Sequence, residues 1–195
     1  QCPAIIAPQS APEVLDVFVR QAAALQSPAF ICGRDWDIIP HADSFEYKSA
    51  ARHLHLPLPQ LRGRHQLDNA GVALAALEAS PYAHLLEQKI LERAMAHVFW
   101  PGRMQRVDTG VLAALLPAGW ELWFDGAHND SGAAVLTEQI KEWGHDKPLH
   151  LVTAMKKTKD AADFYQRLLP HAATIQAVDV SWIEAPMISA ETLCD

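Results

Sequence analysis

The sequence predicts an α/β protein, and two observations lead to this fold class. After Gly119, short apolar segments alternate with segments whose apolar residues recur at helical spacing, which is typical of a parallel sheet with crossover helices. Before residue 100, short strand-like segments are interspersed with strongly helical ones. We therefore expect two α/β parts, the second with a mainly parallel sheet.

The predicted elements of the first part follow from apolar spacing and from proline. Leu15, Phe18 and Ala22 recur at helical spacing. Pro57 and Pro59 favour edge strands or hairpins, since proline donates no hydrogen bond to a sheet. The elements are, in order, a strand at Ile5–Ile6, a helix ending near Gln26, a strand over 28–33, edge strands or hairpins over 35–61, and helices over 66–79 and 83–97.

The second part begins after a break in periodicity. The segment Val98–Arg103 contains proline and glycine, which are turn residues. We therefore predict a first domain over 1–99, an interdomain linker over 100–106 and a second domain over 107–195. The expected elements of the second domain are strands over 120–124, 149–154 and 172–178 and helices over 133–143 and 161–169.

Composition and charge restrict the classes of partner. The chain has 195 residues, a net charge of −7 and an isoelectric point near 5.8, with no long run of positive residues. Nucleic acid is not expected as a partner, because phosphate backbones bind clustered Lys and Arg. No stretch approaches the roughly 18 apolar residues of a membrane span, so no membrane partner is expected either. Three widely spaced cysteines without metal-ligand spacing predict a reducing, cytoplasmic compartment.

Three segments contain polar residues where the fold does not require them. The first is LRGRHQLDNA, residues 61–70. Gln66 and Asn69 are three apart in a predicted helix, so their amides share a face. An amide offers both a donor and an acceptor, which suits the edge of adenine. The alternative is that Asp68 or Asn69 simply caps the helix.

Two further segments carry polar residues of this kind. Arg103 lies in the linker, where its guanidinium would reach a phosphate in bidentate fashion; the alternative is an exposed linker residue. Asp125 follows a predicted strand, and open parallel sheets bind ligands beyond the carboxyl ends of their strands. Its carboxylate would accept from both hydroxyls of a ribose. His128 lies in the same turn, and Asp130 or Ser131 is expected to cap the next helix.

Two other constellations favour structural interpretations. His53 and His55 face one side of an extended segment, but no third ligand has suitable spacing, so we predict no metal site. Asp35 and Asp37 are candidates for a general acid and a general base. Trp36 between them, however, indicates a loop after a strand.

Four segments occur in a fixed order along the chain: GRHQLDNAGVALAALEA, WPGRMQ, WFDGAHN and AMKKTKD. Together they resemble folylpolyglutamate synthase and its bacterial form that is also dihydrofolate synthase, a family of the Mur ligase superfamily. The resemblance covers nearly the whole chain. It implies the tail of a Mur-type P-loop ATPase central domain, followed by a Rossmann-like C-terminal domain with the mainly parallel sheet.

The resemblance implies an ATP-dependent ligase that activates a folate carboxylate as an acyl phosphate and joins it to L-glutamate. ATP and Mg²⁺ are the implied cofactors, with the P-loop, the magnesium ligands and most of the folate pocket in an N-terminal half outside this chain. Asn69, with Gln66 nearby, corresponds to the adenine contact, Arg103 to an arginine at the phosphates, Asp125 to the ribose-binding carboxylate and His128 to a histidine near the reacting end. Arg103 and His128 are then the catalytic residues. The implied partners are folate or dihydropteroate, L-glutamate and ATP, and the complete protein is expected to be a monomer.

The chain also departs from the pattern of that family. It contains no Gly-Lys pair and hence no G-x-x-x-x-G-K-[ST]. Asp130 stands where proline usually follows the motif, and Ala154 and Thr158 replace the usual Gly and Asp. Both ends of the chain read like the interior of a longer protein. We therefore expect a fragment that alone catalyses nothing, binds ATP weakly and exposes apolar surface before Arg62.

Two other functions fit the same residues. One is another Mur-type amide ligase, of the cell-wall or cyanophycin type, and the other is a non-catalytic nucleotide-binding module. Substrate loops upstream would distinguish the first, and an upstream P-loop would argue against the second. The sequence does not separate dihydrofolate synthase from folylpolyglutamate synthase, and Lys159 and Asp160 match the family without an assigned role.

Overall fold

The computed structural model of the chain describes residues 2–9, 11–144, 146–181 and 185–194. They fall into two compact units, Gln1–Phe124 and Asp125–Asp195. No helix in these ranges is long and apolar enough to cross a membrane. Both units contain helices and strands, so the predicted α/β class is confirmed.

The first unit combines short strands with helices of up to 14 residues. Its elements, in chain order, are β1 (Ala4–Ile6), α1 (Pro12–Ala24), β2 (Ala29–Ile31), β3 (Trp36–Pro40), β4 (Ser44–Ser49), β5 (His53–Pro57), α2 (His65–Glu78), a 3₁₀ turn (Ala83–Leu85), α3 (Gln88–His97), β6 (Gln105–Arg106), α4 (Val111–Ala114) and β7 (Trp123–Phe124).

Three separate sheets are formed by these strands. β1 and β2 pair in parallel, and β3, β4 and β5 form an antiparallel meander in sequence order. The hairpins predicted over 35–61 are therefore present. Trp36, however, is the first residue of β3 and is buried, so the loop predicted around it is wrong. Its indole nitrogen donates to the carbonyl oxygen of Phe30 at 3.2 Å, which holds the start of β3 against β2.

The core of the first unit lies between the meander and α2. Side chains alternate across a strand, so Phe45, Tyr47 and Leu56 point to the helix side and are fully buried. The Tyr47 hydroxyl donates to Glu78 Oε2 at 2.5 Å. Burial, together with this hydrogen bond to a carboxylate, raises the pKa of Tyr47. The opposite face of the meander carries polar and charged residues, as the sequence alternation requires.

Gly71 marks the closest approach of α2 to the meander. A Cβ atom at this position would lie 2.6 Å from Ile38 Cγ1 and 2.7 Å from Trp36 Cζ3. Both neighbours are held in place by packing, so neither can move aside freely. Glycine is therefore required here by space and not by backbone conformation.

We expect Gly71→Ala to lower the free energy of unfolding of the first unit by about 1 kcal/mol. Overpacking costs about 1–3 kcal/mol, whereas the gain in helix propensity is only about 1 kcal/mol. Urea unfolding measures the balance. Ala73→Gly, at an exposed position of the same helix, isolates the propensity contribution. A Gly71→Ala protein more stable than the wild type would contradict the close contact.

Helix α1 presents apolar side chains on both of its faces. Ala22 is buried towards β1 and β2, while Val14, Val17 and Phe18 are exposed. Phe30 of the adjacent β2 is exposed as well. Apolar surface before Arg62 was expected from the sequence, and this part of the chain has it.

The second unit contains α5 (Asp130–Trp143), β8 (His150–Thr153), α6 (Ala161–Leu168), β9 (Thr174–Ala177) and α7 (Ala190–Cys194). β8 and β9 pair in parallel, with α6 as the crossover helix between them. This strand–helix–strand order agrees with the prediction. Ala133, Met155, Phe164 and Leu168 form its buried core, in which α5 packs against α6.

The division between the units lies later than the predicted linker over 100–106. Residues 107–124, which were predicted to belong to the second domain, group with the first unit. The reason is the antiparallel pairing of β6 with β7, in which Gln105 lies opposite Phe124 and Arg106 opposite Trp123.

The strand predicted over 120–124 is shorter than expected and lies in no parallel sheet. Only its last two residues, β7, are extended, and their partner is β6. A turn accounts for the shortening, because the Trp120 amide donates to the carbonyl oxygen of Pro117 at 3.1 Å. The prediction of a parallel strand here was therefore wrong, although Asp125 still follows a strand directly.

Candidate functional site

The segment ahead of α2 makes a tight turn at Gly63. The residue has φ of +101°, a left-handed conformation that glycine adopts without steric cost. Its carbonyl oxygen accepts from the Gln66 amide at 2.9 Å. A Cβ atom at Gly63 would lie 2.7 Å from His65 Cε1, so the turn also brings backbone and imidazole close together. The glycine therefore fixes where α2 begins.

Gln66 and Asn69 form the amide pair that the sequence predicts. Asn69 Nδ2 donates to Gln66 Oε1 at 3.1 Å, and Gln66 Nε2 donates to His65 Nε2 at 2.7 Å. Gln66 is only 5% exposed, while Asn69 is exposed. The arrangement makes Asn69 the amide that a ligand meets and Gln66 the group that orients it.

The alternative interpretation of this segment, helix capping, does not hold. The N-cap of α2 is Arg64, and its side chain makes no capping hydrogen bond. Asp68 and Asn69 both lie inside the helix. Partial burial raises the pKa of Asp68, against the opposing influence of the nearby charges of Arg64 and His65. Asp68 is therefore a partly buried residue of the helix and not its cap.

Arg103 lies between two residues with left-handed backbone. Gly102 has φ of +70° and Met104 of +42°, and the Gly102 amide donates to Gln105 Oε1 at 2.9 Å. Met104 is buried, whereas Arg103 is exposed. Among the described residues its guanidinium has no hydrogen bond or ion pair. The turn thus anchors the neighbours of Arg103 and leaves its side chain available for a ligand.

A stack of two arginines on one indole joins the segments of the first unit. The guanidinium carbon of Arg62 lies 5.1 Å from the centre of the Trp123 ring, and that of Arg106 lies 5.9 Å from it. Both distances are within the range of cation–π attraction. Arg106 also pairs with Asp108 at 2.8 Å. This arginine–tryptophan stack (Arg62, Trp123 and Arg106) was not predicted, although Arg62 and Trp123 lie within the segments quoted from the sequence and Arg106 directly follows one.

Asp125 begins a turn that fixes the conformation of the third segment. Its Oδ1 accepts from the Ala127 amide at 2.7 Å, and its side chain is exposed. His128 Nδ1 lies 2.9 Å from the carbonyl oxygen of Gly126. Because a carbonyl only accepts, Nδ1 carries the hydrogen in this contact, and Nε2 of the neutral ring has a lone pair. Asp125 and His128 therefore share one turn, directly ahead of α5.

Asn129 caps α5, which corrects the expectation that Asp130 or Ser131 does so. Asn129 Oδ1 accepts from the Gly132 amide at 2.8 Å. The Asp130 carboxylate instead binds the guanidinium of Arg167 on α6, with Oδ2 3.0 Å from Nη2. This hydrogen bond lowers the pKa of Asp130. Asp130 thus joins two helices of the second unit and has a structural role.

We expect Asn129→Ala to destabilise the second unit by about 1 kcal/mol, the usual cost of losing an N-cap side chain. Ser131→Ala is the matched control, because Ser131 lies in the same turn without capping α5. Thermal unfolding of both variants measures the difference. Equal stability of the two variants would contradict the capping assignment.

The segment AMKKTKD, residues 154–160, has a structural role in the second unit. Asp160 caps α6 by accepting from the Asp163 amide at 3.2 Å. Met155 is buried, and its carbonyl oxygen accepts from the Ile188 amide at 2.8 Å. The turn between them is closed by the Lys159 amide, which donates to Lys156. These contacts explain the segment without a ligand.

A cavity of the first unit contains none of the predicted site residues. It has a volume of about 640 Å³, and Asp35, Asp37 and Glu78 are among its lining residues. Asp35 accepts from the Ile31 amide at 2.8 Å and pairs with Arg34, and these contacts lower its pKa. Asp35 is therefore held as a structural residue, not poised as a general acid.

Comparison with known proteins gives relatives of one class. No protein-family model matches the chain. It is 25% identical over 185 residues to the dihydrofolate synthase/folylpolyglutamate synthase of Bacillus subtilis (strain 168), which is 90% of this chain and 41% of the relative. The structure aligns with Escherichia coli FolC in complex with DHPP and ADP with a TM-score of 0.75 and 26% identity, over 98% of this chain and 42% of that one.

A third match has the same fold at lower identity. It is a bifunctional folylpolyglutamate synthase/dihydrofolate synthase with Mn, AMPPNP and L-glutamate bound, with a TM-score of 0.75, 24% identity and coverage of 98% of this chain and 42% of that one. The relatives are named as dihydrofolate and folylpolyglutamate synthases. The particular protein that the chain resembles is folylpolyglutamate/dihydrofolate synthase, in its C-terminal portion. The chain spans 41% of the length of the Bacillus relative.

Proposed function

We propose that this chain supplies the nucleoside contacts of an ATP-dependent ligase that adds L-glutamate to a folate or to dihydropteroate. The observation that carries the proposal is the arginine–tryptophan stack. It connects the turn ahead of α2 with β6 and β7, so that the segments of Asn69 and Arg103 adjoin one small scaffold within the first unit. Binding residues held on such a scaffold keep their geometry when the ligand is absent.

In this proposal the nucleoside is held by an amide and a carboxylate. Asn69 contacts the edge of adenine with a donor and an acceptor, and Gln66 holds its orientation. Asp125 accepts from the ribose hydroxyls, with one oxygen already occupied by the Ala127 amide. Both are exposed, as a binding role requires.

Arg103 and His128 are proposed to act at the reacting end. When bound, ATP supplies the phosphoryl group that activates the folate carboxylate for attack by the glutamate amine. Arg103 neutralises negative charge on the phosphates, which is the main contribution a protein makes to phosphoryl transfer. His128, with its hydrogen on Nδ1, offers Nε2 as an acceptor near that end.

The residues of this chain fit the nucleoside better than the phosphates or magnesium. The sequence has no Gly-Lys pair to form a phosphate cradle, and Arg103 is the one cation that the family pattern assigns to the phosphates. Magnesium ligands are proposed to come from another part of the complete ligase. The free thiols of Cys2 and Cys32 support a reducing, cytoplasmic location, and we propose a monomeric enzyme with small-molecule partners only.

Loss of the Asp125 carboxylate should weaken nucleotide binding at least about tenfold, since a hydrogen bond to a charged group contributes roughly 1.5–3 kcal/mol. Saturation-transfer NMR with ADP measures the affinity of wild type and Asp125→Ala. Asp163→Ala removes an exposed carboxylate of the same unit and serves as control. Equal ADP affinity in all three proteins would refute the assignment of Asp125.

A further inference from the structure

Three metal-ligating side chains meet on the exposed face of the meander. One ligand atom each from His41, Glu46 and His55 lies within 4.8 Å of the other two. His41 Nε2 is 2.9 Å from Glu46 Oε1. From these contacts we infer that the cluster binds one divalent transition-metal ion of the zinc type, a site separate from the residues of the proposed ligase function.

Strand pairing explains why the three residues converge. Glu46 lies directly opposite His55 on β5 and opposite Ile39 on β3. His41 is two residues beyond Ile39, so it points to the same face, and its amide donates to the carbonyl oxygen of Ser44 at 2.9 Å. Directly opposite side chains have Cβ atoms about 4.5–5.5 Å apart, close enough to share one ion.

The backbone beneath the cluster is packed against the core of the first unit. Phe45 and Tyr47, the neighbours of Glu46 on β4, are fully buried on the other face of the sheet. A ligand set on a central strand with a packed underside keeps its spacing, which favours metal binding over collapse. Tetrahedral zinc with bonds of about 2.0–2.1 Å needs ligand atoms about 3.4 Å apart. The His41–Glu46 spacing of 2.9 Å is close to that value and all three spacings are within 4.8 Å, so small side-chain rotations complete the site.

The ligand types select the metal. Imidazole nitrogen with one carboxylate oxygen suits zinc, copper or nickel, whereas magnesium prefers oxygen ligands alone. Three protein ligands leave a position open for water. Asp43 and Glu92 line a cavity beside His55 and add negative charge next to the ion.

The groups that compete for Glu46 are Lys48 and His53. Lys48 Nζ is 2.7 Å and His53 Nε2 is 2.6 Å from Glu46 Oε2. Both approach the second carboxylate oxygen, so Oε1 remains on the side of His41. The three contacts hold the pKa of Glu46 down at about 2. Lys48 is a long, half-exposed side chain, and a bound cation displaces it into solvent.

Titration of the untagged 195-residue chain with zinc chloride by calorimetry tests the site. We expect one saturable zinc site per chain and no comparable binding of magnesium. Glu46→Gln and His55→Ala should weaken zinc binding by about tenfold or more. His84→Ala is the control, because His84 is exposed and lies outside the meander, with Nδ1 3.3 Å from the Pro81 carbonyl oxygen.

Lys48→Met should change the zinc affinity in the direction opposite to Glu46→Gln and His55→Ala. Removal of a positive charge next to the ligands should tighten zinc binding several-fold. Far-UV circular dichroism of each variant without zinc verifies that the meander is intact, and Co²⁺ in place of zinc reports the ligand set by its visible absorption. Absence of a saturable zinc site, an equal loss in His84→Ala, or equal zinc affinity in Lys48→Met and wild type would each overturn the proposal. None of these outcomes bears on the ligase function.

Discussion

Phe45→Ala should lower the free energy of unfolding of the first unit by about 3–5 kcal/mol, the range for a buried phenylalanine. Phe45 is 0% exposed at the centre of the meander, within a cluster that includes Trp36, Leu56 and Leu74. Truncation leaves a cavity that the surrounding strands and α2 cannot close. A domain has about 5–15 kcal/mol of stability in total, so the variant loses a large share of it.

The matched control is the same substitution at an exposed phenylalanine. Phe99 is 64% exposed, so Phe99→Ala should change the stability by less than about 0.5 kcal/mol. Urea unfolding measures the loss of stability. Hydrogen exchange of the β4 amides reports the stability of the first unit separately. A cost below about 1.5 kcal/mol for Phe45→Ala would show that the meander is not the core of this unit.

The second large effect concerns catalysis by the complete ligase. Arg103→Ala should reduce turnover by a factor that corresponds to about 2–4 kcal/mol, as found for other groups that stabilise developing charge. Arg103→Lys should rescue poorly, because an ammonium cannot reproduce the two parallel hydrogen bonds of a guanidinium. The exposed position of Arg103 without a protein partner among the described residues is the structural reason for this expectation.

A chimera provides the complete enzyme for this measurement. The chain replaces the 42% of E. coli FolC with which it aligns, and glutamate-dependent ADP release is measured. Arg93→Ala, an exposed arginine on α3, should leave turnover unchanged. If the unmutated chimera is active and the Arg103→Ala chimera is equally active, Arg103 is only a linker residue.

Much of the fold could be predicted from the sequence, because many of its helices and strands are long or have regularly spaced apolar residues. α2 and the β8–α6–β9 unit have apolar periodicity over enough residues to define them. β6 and β7 have two residues each, which is too short for any periodicity, and their pairing depends on a contact between distant segments. The position of the division after Phe124 follows from that pairing and was therefore not predictable.

Less of the candidate site than of the fold could be predicted from the sequence. Gln66, Asn69, Arg103 and Asp125 are predictions from motif and spacing, and among them the Gln66–Asn69 contact is a direct result of helical geometry. The arginine–tryptophan stack depends on tertiary contact, which no local pattern encodes. The same holds for the meander, where strand register and not spacing along the chain brings the ligand atoms of His41 to those of Glu46 and His55.

We propose that the turn ahead of α2 and the Asp125–His128 turn each contribute contacts to the nucleoside of ATP. Titration of the ¹⁵N-labelled chain with ADP tests it most directly, because chemical shifts report the contact residue by residue. We expect weak binding, in the millimolar range, since each absent charge-assisted hydrogen bond to the phosphates costs roughly 1.5–3 kcal/mol and every 1.4 kcal/mol is about tenfold in affinity. The shifts should concentrate at residues 62–69, 102–106 and 123–128. Saturable shifts confined to the cavity lined by Trp36 and Glu78, or no shifts with ADP at all, would contradict the account.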